Sequence, residues 1–187
     1  MIKLTTSLNK QDISNLHVGD EVLLSGTIFT ARDRAYNVLL EKNFSKIKDQ
    51  IIYHSGLIIR ETKNGLQPIS AGPTTSARFI ERSIKLIKKY KIKAFIGKGG
   101  MDTPEIIEAF EKNNVVYFAA VGGAGVLYAN AIVKIKNAYF RNLGMTDSVL
   151  ELEVKDFPVV VTMDSHGNSI YNNVYKKSKS KVRKYLK

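Results

Sequence analysis

The sequence predicts an α/β fold, and three observations carry that expectation. Short apolar runs alternate with stretches whose apolar residues recur at helical spacing. Two junctions, at residues 97–103 and 121–125, pass from a strand through glycine into a helix. Such junctions gather backbone N–H groups and helix ends on one edge of a sheet. The length of 187 residues suits one domain with a sizeable core, and no internal repeat divides it. Residues 1–175 are assigned to that domain and residues 176–187 to a basic tail.

Residues 1–20 read as a lead-in that ends in a Val18-Gly19-Asp20 turn. Glu21 to Thr30 alternates as a strand interrupted at Gly26, and Ala31 to Tyr36 enters a helix running toward Lys42. Ile51-Ile52-Tyr53-His54 is a short apolar strand, and Leu57 to Arg60 is a candidate for another. Phe79 to Tyr90 places Ile80, Ile84 and Ile87 on one helical face. Lys93 to Gly97 is a buried strand. Asp102-Thr103-Pro104-Glu105 then opens a helix, with Asp102 as cap and proline in the first turn. Val115 to Val121 is a strongly apolar strand, followed by a small-residue helix through Ala129, Ala131 and Ile132. Glu151 to Asp164 reads as strand, Ser165 to Asn168 as a turn, and Ser169-Ile170-Tyr171 as a return.

Composition narrows the function classes. At 44% hydrophobic and 25% charged residues, with 4 Pro, the chain is globular. No run approaches the roughly 18 apolar residues of a membrane helix. The N-terminus lacks the apolar core of a signal peptide, so a cytoplasmic protein without a membrane partner is expected. Cysteine is absent, which excludes a disulfide or a thiolate metal site within this chain. His17, His54 and His166 lack metal-ligand spacing, and no metal ligand is assigned. Of the formal net charge of +12, seven positive charges lie in the last twelve residues, leaving +5 over the other 175. The tail is a solvated extension or a short basic helix. Contact of the tail with RNA or a membrane surface stays open, although the body is only mildly basic.

The residues richest in chemistry are Gly72-Pro73-Thr74-Thr75-Ser76-Ala77-Arg78. They bring three hydroxyls and a guanidinium to a helix start, with Thr74 or Thr75 as N-cap. Free N–H groups, hydroxyl donors and an arginine suit a carboxylate or phosphate, although an ordinary capped helix would use the same residues. Gly97-Lys98-Gly99-Gly100 adds a compact positive charge where glycine permits close approach. It is not a P-loop, because no Ser or Thr follows Lys98 and the upstream glycine is missing. Nor does Gly122 to Tyr128 complete a G-x-G-x-x-G pattern. Arg32 lies just past a strand end, where it either pairs with Asp33 or faces a ligand. Arg32, Arg78 and Lys98 together suffice to clamp a dianion.

The ordered set GDEVLLSGTIFTARD, SAGPTTSAR, IGKGGM, VYFAAVGGAGVLYANAI, LGM and EVKDFPVVVTMDSHGN resembles the β subunit of class I fumarate hydratases and L-tartrate dehydratases. The same module forms the C-terminal domain of single-chain class I fumarases. The likeness runs from about residue 5 to 172, leaving out the basic tail. It implies a swivelling β/β/α domain and reversible hydration of a dicarboxylate, with fumarate ahead of tartrate. It also implies a 4Fe-4S cluster held by the cysteines of a partner α subunit, in a heterotetramer or other hetero-oligomer. By similarity Arg32, Arg78 and Lys98 bind the carboxylates and Thr75 donates a hydrogen bond. Thr74 matches a threonine proposed to handle the proton beside the carboxylate, and Thr74 and Lys98 form the catalytic set.

The chain departs from that pattern in three places. Tyr36 stands where the family usually has histidine, Ser55-Gly56-Leu57 where it has Gly-Pro, and Thr146-Asp147-Ser148 where Glu-Ala follows LGM. A nucleic-acid-binding module is the alternative from another class. Against it, no exposed aromatics interleave with Lys and Arg in the central motifs.

Overall fold

The computed structural model describes residues 1–63, 65–182 and 185. It opens with β1 (Ile2–Thr5), α1 (Lys10–Ser14) and β2 (Glu21–Thr30). The first two lie inside the expected lead-in. β1 is a strand because β2 offers it an edge, with Ile2 beside Val22 and Thr5 beside Ser25 in parallel. α1 is set by a capping box: Asp12 N–H donates to Asn9 Oδ1 and Asn9 N–H donates to Asp12 Oδ2, both at 2.9 Å.

The chain continues through α2 (Asp33–Glu41), β3 (Ile51–Tyr53), β4 (Ile58–Thr62) and β5 (Gly65–Ser70). Then follow α3 (Ile80–Tyr90), β6 (Ala94–Gly97), α4 (Pro104–Asn113), β7 (Val116–Ala119) and α5 (Gly125–Asn130). β8 (Ile132–Tyr139), β9 (Val149–Met163) and α6 (Ile170–Val182) complete it. The architecture is mixed α/β. Three local expectations need correction. No threonine side chain caps α3: a 3-10 turn over Ser76–Phe79 comes first, and Thr75 precedes it without a side-chain cap bond. Thr103, not Asp102, takes the cap position of α4, with Pro104 opening the helix. The small-residue helix stops at Asn130, because Ile132 already pairs with Val154 of β9.

β2, β3, β6 and β7 run parallel to one another. The 15-residue β9 runs antiparallel to β7, to β8 and also to β2, so the sheet closes on itself. β4 and β5 form a separate hairpin. The central strands are buried on both faces, as parallel strands covered on both sides must be. Ile51, Tyr53, Ile96 and Phe118 enter one core with Leu24, Leu152 and Phe157. Ile52, Phe95 and Tyr117 point the other way, against Phe79, Leu86, Ile106 and Phe110 from the helical side. α6 carries the basic segment away from the sheet as an exposed helix to Val182. The remaining basic residues Arg183, Lys184 and Lys187 lie outside the described residues. No described helix is long and apolar enough to cross a membrane.

Candidate functional site

Four parallel strands must end on the same edge, and here those ends are Thr30, Tyr53, Gly97 and Ala119. The loops that leave them carry Arg32, His54 to Gly56, Lys98 to Met101, and Val121 to Ala124. The segment Gly72 to Arg78 returns from the hairpin and crosses these ends. Pro73 bridges antiparallel to Ser55, and Thr75 bridges parallel to Lys98. Thr74 N–H donates to the His54 carbonyl at 2.6 Å. Lys98 N–H donates to the Thr74 carbonyl at 3.3 Å, and Ser76 N–H donates to the Lys98 carbonyl at 3.0 Å. Thr74 to Ser76 thus behaves as an extra strand laid beside the Lys98 loop. Thr75 is exposed, Thr74 and Lys98 half-buried, and the Lys98 side chain runs over Gly122. Among the described residues no hydrogen bond engages either threonine hydroxyl, and no acid pairs with the Lys98 ammonium.

The two arginines meet at one carboxylate. Arg78 Nη2 lies 3.0 Å from Asp33 Oδ2, and Arg32 Nη2 lies 3.4 Å from the same oxygen. Arg32 Nε lies 3.4 Å from Asp33 Oδ2 and 3.6 Å from Asp147 Oδ1. The side chains of Arg32, Asp33 and Arg78 are 30%, 36% and 51% exposed, so solvent screens these pairs. Each guanidinium carries five N–H donors, more than these contacts use. Asp33 opens α2, where a carboxylate also suits the positive helix end. Gly56 explains how Arg32 reaches this place. An added Cβ there would sit 2.6 Å from the Thr146 carbonyl oxygen and 2.7 Å from Arg32 Nη1. The glycine of the divergent Ser55-Gly56-Leu57 segment is therefore kept for space. Arg82, one helical turn beyond Arg78, fastens the group: it donates to the carbonyls of Asp33 (3.0 Å) and Arg78 (3.2 Å). Its guanidinium also lies over the rings of Phe79 and Tyr36.

Beneath this edge runs a buried polar chain. Tyr117 Oη donates to Ser76 Oγ at 2.9 Å, and Ser76 Oγ lies 2.8 Å from His54 Nδ1. His54 Nε2 lies 2.6 Å from Tyr36 Oη, which lies 2.9 Å from Ser83 Oγ. All five residues are fully buried. Burial pushes the His54 imidazole down to about 3, with the Arg82 charge adding to the shift, and it pushes the Tyr36 and Tyr117 phenols up. Each group therefore stays neutral near pH 7. Tyr36, at the position where histidine was expected, makes its bond to an imidazole supplied by the end of β3. Gly97 leaves room for the chain. An added Cβ would overlap Ser76 Oγ and stand 3.1 Å from Tyr117 Oη and 3.2 Å from His54 Nδ1.

The structure brings Thr74, Thr75 and Lys98 into direct backbone contact and joins Arg32 to Arg78 through Asp33. An open cleft of about 740 Å³ between the starts of α3 and α4 is lined by Arg78, Glu81, Arg82 and Glu105, and it does not include the other four candidates. Sequence reasoning passed over Arg82, although its spacing from Arg78 is one turn and was a usable signal. It also passed over Ser76, His54 and Tyr117 as partners, which no local spacing could have linked. Among the described residues, no group of His, Asp and Glu is placed to hold a metal ion.

Over residues 1–174 the chain matches the family described as Fumarase C-terminus. It is 44% identical, across 96% of this chain and 95% of the relative, to a Methanocaldococcus jannaschii protein provisionally named L(+)-tartrate dehydratase subunit beta. It is 33% identical to the Escherichia coli L(+)-tartrate dehydratase subunit beta, across 89% of this chain and 85% of the relative. A provisionally named class I fumarate hydratase of Geobacillus stearothermophilus is 36% identical over 99% of this chain, which spans 36% of that protein. With the family matched over nearly its whole length and a relative matched end to end, the chain belongs to the fumarase C-terminus family.

Proposed function

We propose that this chain is the β subunit of a hydro-lyase that reversibly adds water across the double bond of a four-carbon dicarboxylate, with fumarate as substrate. One observation carries the reading. Two threonine hydroxyls and a lysine without partners among the described residues, the half-buried Arg32 and the exposed Arg78 sit on one open strand edge of a family member. Arg32, Arg78 and Lys98 offset the two negative charges of the substrate and fix its carboxylates, and Thr75 donates a further hydrogen bond. Thr74 lies beside the carbon whose proton is exchanged. An ordinary alcohol is a poor base, so Thr74 depends on the surrounding positive charge or on a group from the partner to act.

The resemblance implies an iron–sulfur cluster. Neither the sequence, which lacks cysteine, nor the described residues offer it ligands, so it does not fit this chain. In this proposal the cluster belongs to an α subunit that also covers the open edge. The closed sheet supports the finer reading of a swivelling β/β/α domain. A second reading, L(+)-tartrate as substrate, is favoured by the names of two relatives. Anaerobic co-production with the α subunit, cluster reconstitution and assays on fumarate, malate and tartrate decide among them. Turnover of fumarate and malate is expected. Turnover of tartrate alone establishes the second reading, and a reconstituted complex inert toward all three overturns both.

A further inference from the structure

The buried chain beneath the edge is costly unless it does something. Five polar side chains in a core lose their hydration, and only complete hydrogen bonding offsets that. One continuous run of donors spans these contacts. Tyr117 donates to Ser76. In that run the Ser76 proton goes to its remaining partner, His54 Nδ1. A neutral imidazole that accepts at Nδ1 carries its proton on Nε2, which donates to Tyr36. Tyr36 then donates to Ser83. Every bond points the same way, an arrangement in which each strengthens the next.

His54 also grips the same segment through its backbone. Its N–H donates to the Ile96 carbonyl of β6 at 2.8 Å, and its carbonyl accepts from Thr74 N–H at 2.6 Å. The ring then holds Ser76. One residue therefore fastens both sides of Thr75, and the opposite side of the segment is fastened to Lys98. We infer that His54 is a positioning residue that, through the Ser76 hydroxyl, fixes Thr74 and Thr75 in register with Lys98. The inference rests on the functional reading above only in taking those three residues as the site. His54 itself faces no solvent and touches no substrate. Because it stays neutral, the chain keeps one proton arrangement across the working pH range.

The unmodified full-length chain gives the first test. In ¹⁵N-histidine NMR spectra from about pH 5 to 8, His54 is expected to stay neutral, protonated on Nε2 and bare on Nδ1. The opposite tautomer, or titration in that range, overturns the inference. Variants give the second. His54→Gln keeps a polar group near Tyr36 and gives up Ser76, whereas His54→Asn keeps one near Ser76. His54→Gln and Ser76→Ala are each expected to speed amide hydrogen exchange at Ser76 and Lys98 by about tenfold or more. In the assembled enzyme they lower kcat by about 10²-fold, the scale of a misplaced reacting group, with little change in KM. The double variant loses no more than the worse single one, and His54→Asn recovers most of the loss. Tyr36→Phe, which cuts the chain beyond His54, leaves Ser76 and Lys98 exchange unchanged. Unchanged exchange in both His54→Gln and Ser76→Ala, or losses that multiply in the double variant, overturns the inference. If the unmodified complex turns over no dicarboxylate, the functional reading fails, and the exchange and NMR results still decide the positioning role.

Discussion

Two regions share the segment Thr74 to Arg78 and treat polarity in opposite ways. Below, Ser76 enters a dry chain of hydrogen bonds with His54, Tyr36, Tyr117 and Ser83. Above, Thr75 and Arg78 face solvent, and the arginine pairs loosely with Asp33. The buried bonds have no water to replace them, so losing one partner costs about 1–3 kcal/mol. The exposed pair is screened and contributes about 0–1 kcal/mol. The difference separates two tasks: the floor holds geometry, and the edge keeps donors available for a ligand.

The largest effect is expected above. Arg78→Ala should remove about 10³-fold of turnover in the assembled enzyme, the scale of losing a charged contact in the reacting site. Its unfolding free energy should move by about 1 kcal/mol at most, because the guanidinium is half exposed. Activity assays beside urea denaturation measure both. Near-normal activity on every dicarboxylate tried would dissolve the proposed site. A stability loss as large as that expected for the floor would erase the contrast between the regions.

Below, the order reverses. Gly97→Ala drives a methyl group into Ser76 Oγ and crowds Tyr117 and His54. Overpacking of this kind costs about 1–3 kcal/mol, read as a lower denaturation midpoint at unchanged slope. A variant as stable as the parent would mean that the chain yields easily and cannot be a rigid floor.

Acid offers a test without altering the site. The His54 imidazole sits at about 3 in the folded chain against an ordinary value of 6.5. Between those values the unfolded chain binds a proton that the folded chain refuses, so stability falls as pH drops below about 6.5. From pH 7 to pH 5 the loss from this residue should be about 2 kcal/mol. Acid acts on other groups of the chain as well, so the measurement is the difference in that loss between the parent and His54→Gln. An equal acid loss in both would show that His54 is protonated in place.

Much of the fold was legible, and the failures have physical causes. β2, α2 and α3 announce themselves because their apolar residues recur at a regular period, and β6 and β7 because they are short, continuously apolar runs. β1 is mostly exposed and is a strand only through its pairing with β2. β5 carries Pro68, which argues against a strand until β4 pairs with it. β8 breaks its register with β9 at Ile132/Lys134 and again at Ile135/Asn137, so its buried residues fall three apart and imitate a helix. At the site, the charged and hydroxyl residues could be read because they cluster at glycine-rich strand ends. The floor could not. Its five groups come from α2, β3's end, the turn before α3, α3 and β7, and only tertiary packing makes them neighbours.

The smallest expected effect gives the most direct reading of the edge. Asp33→Asn keeps the size of the side chain and its place at the start of α2 but removes the charge shared by Arg32 and Arg78. If solvent screens those pairs, stability should drop by less than about 1 kcal/mol, and the drop should shrink further at high salt. The substrate side should respond in the other direction. A bound dicarboxylate presents the same kind of oxygen to the same guanidiniums, so Asp33 competes with it. Removing the charge should lower KM for dicarboxylates at low ionic strength, with kcat falling only as far as the arginines lose their alignment. A titration of KM against salt in the parent and the Asn variant checks this, with the two curves expected to converge as salt rises. If instead KM rises at every salt concentration, the Asp33 carboxylate is an orienting partner that the arginines need. The upper edge would then be as fixed as the floor beneath it.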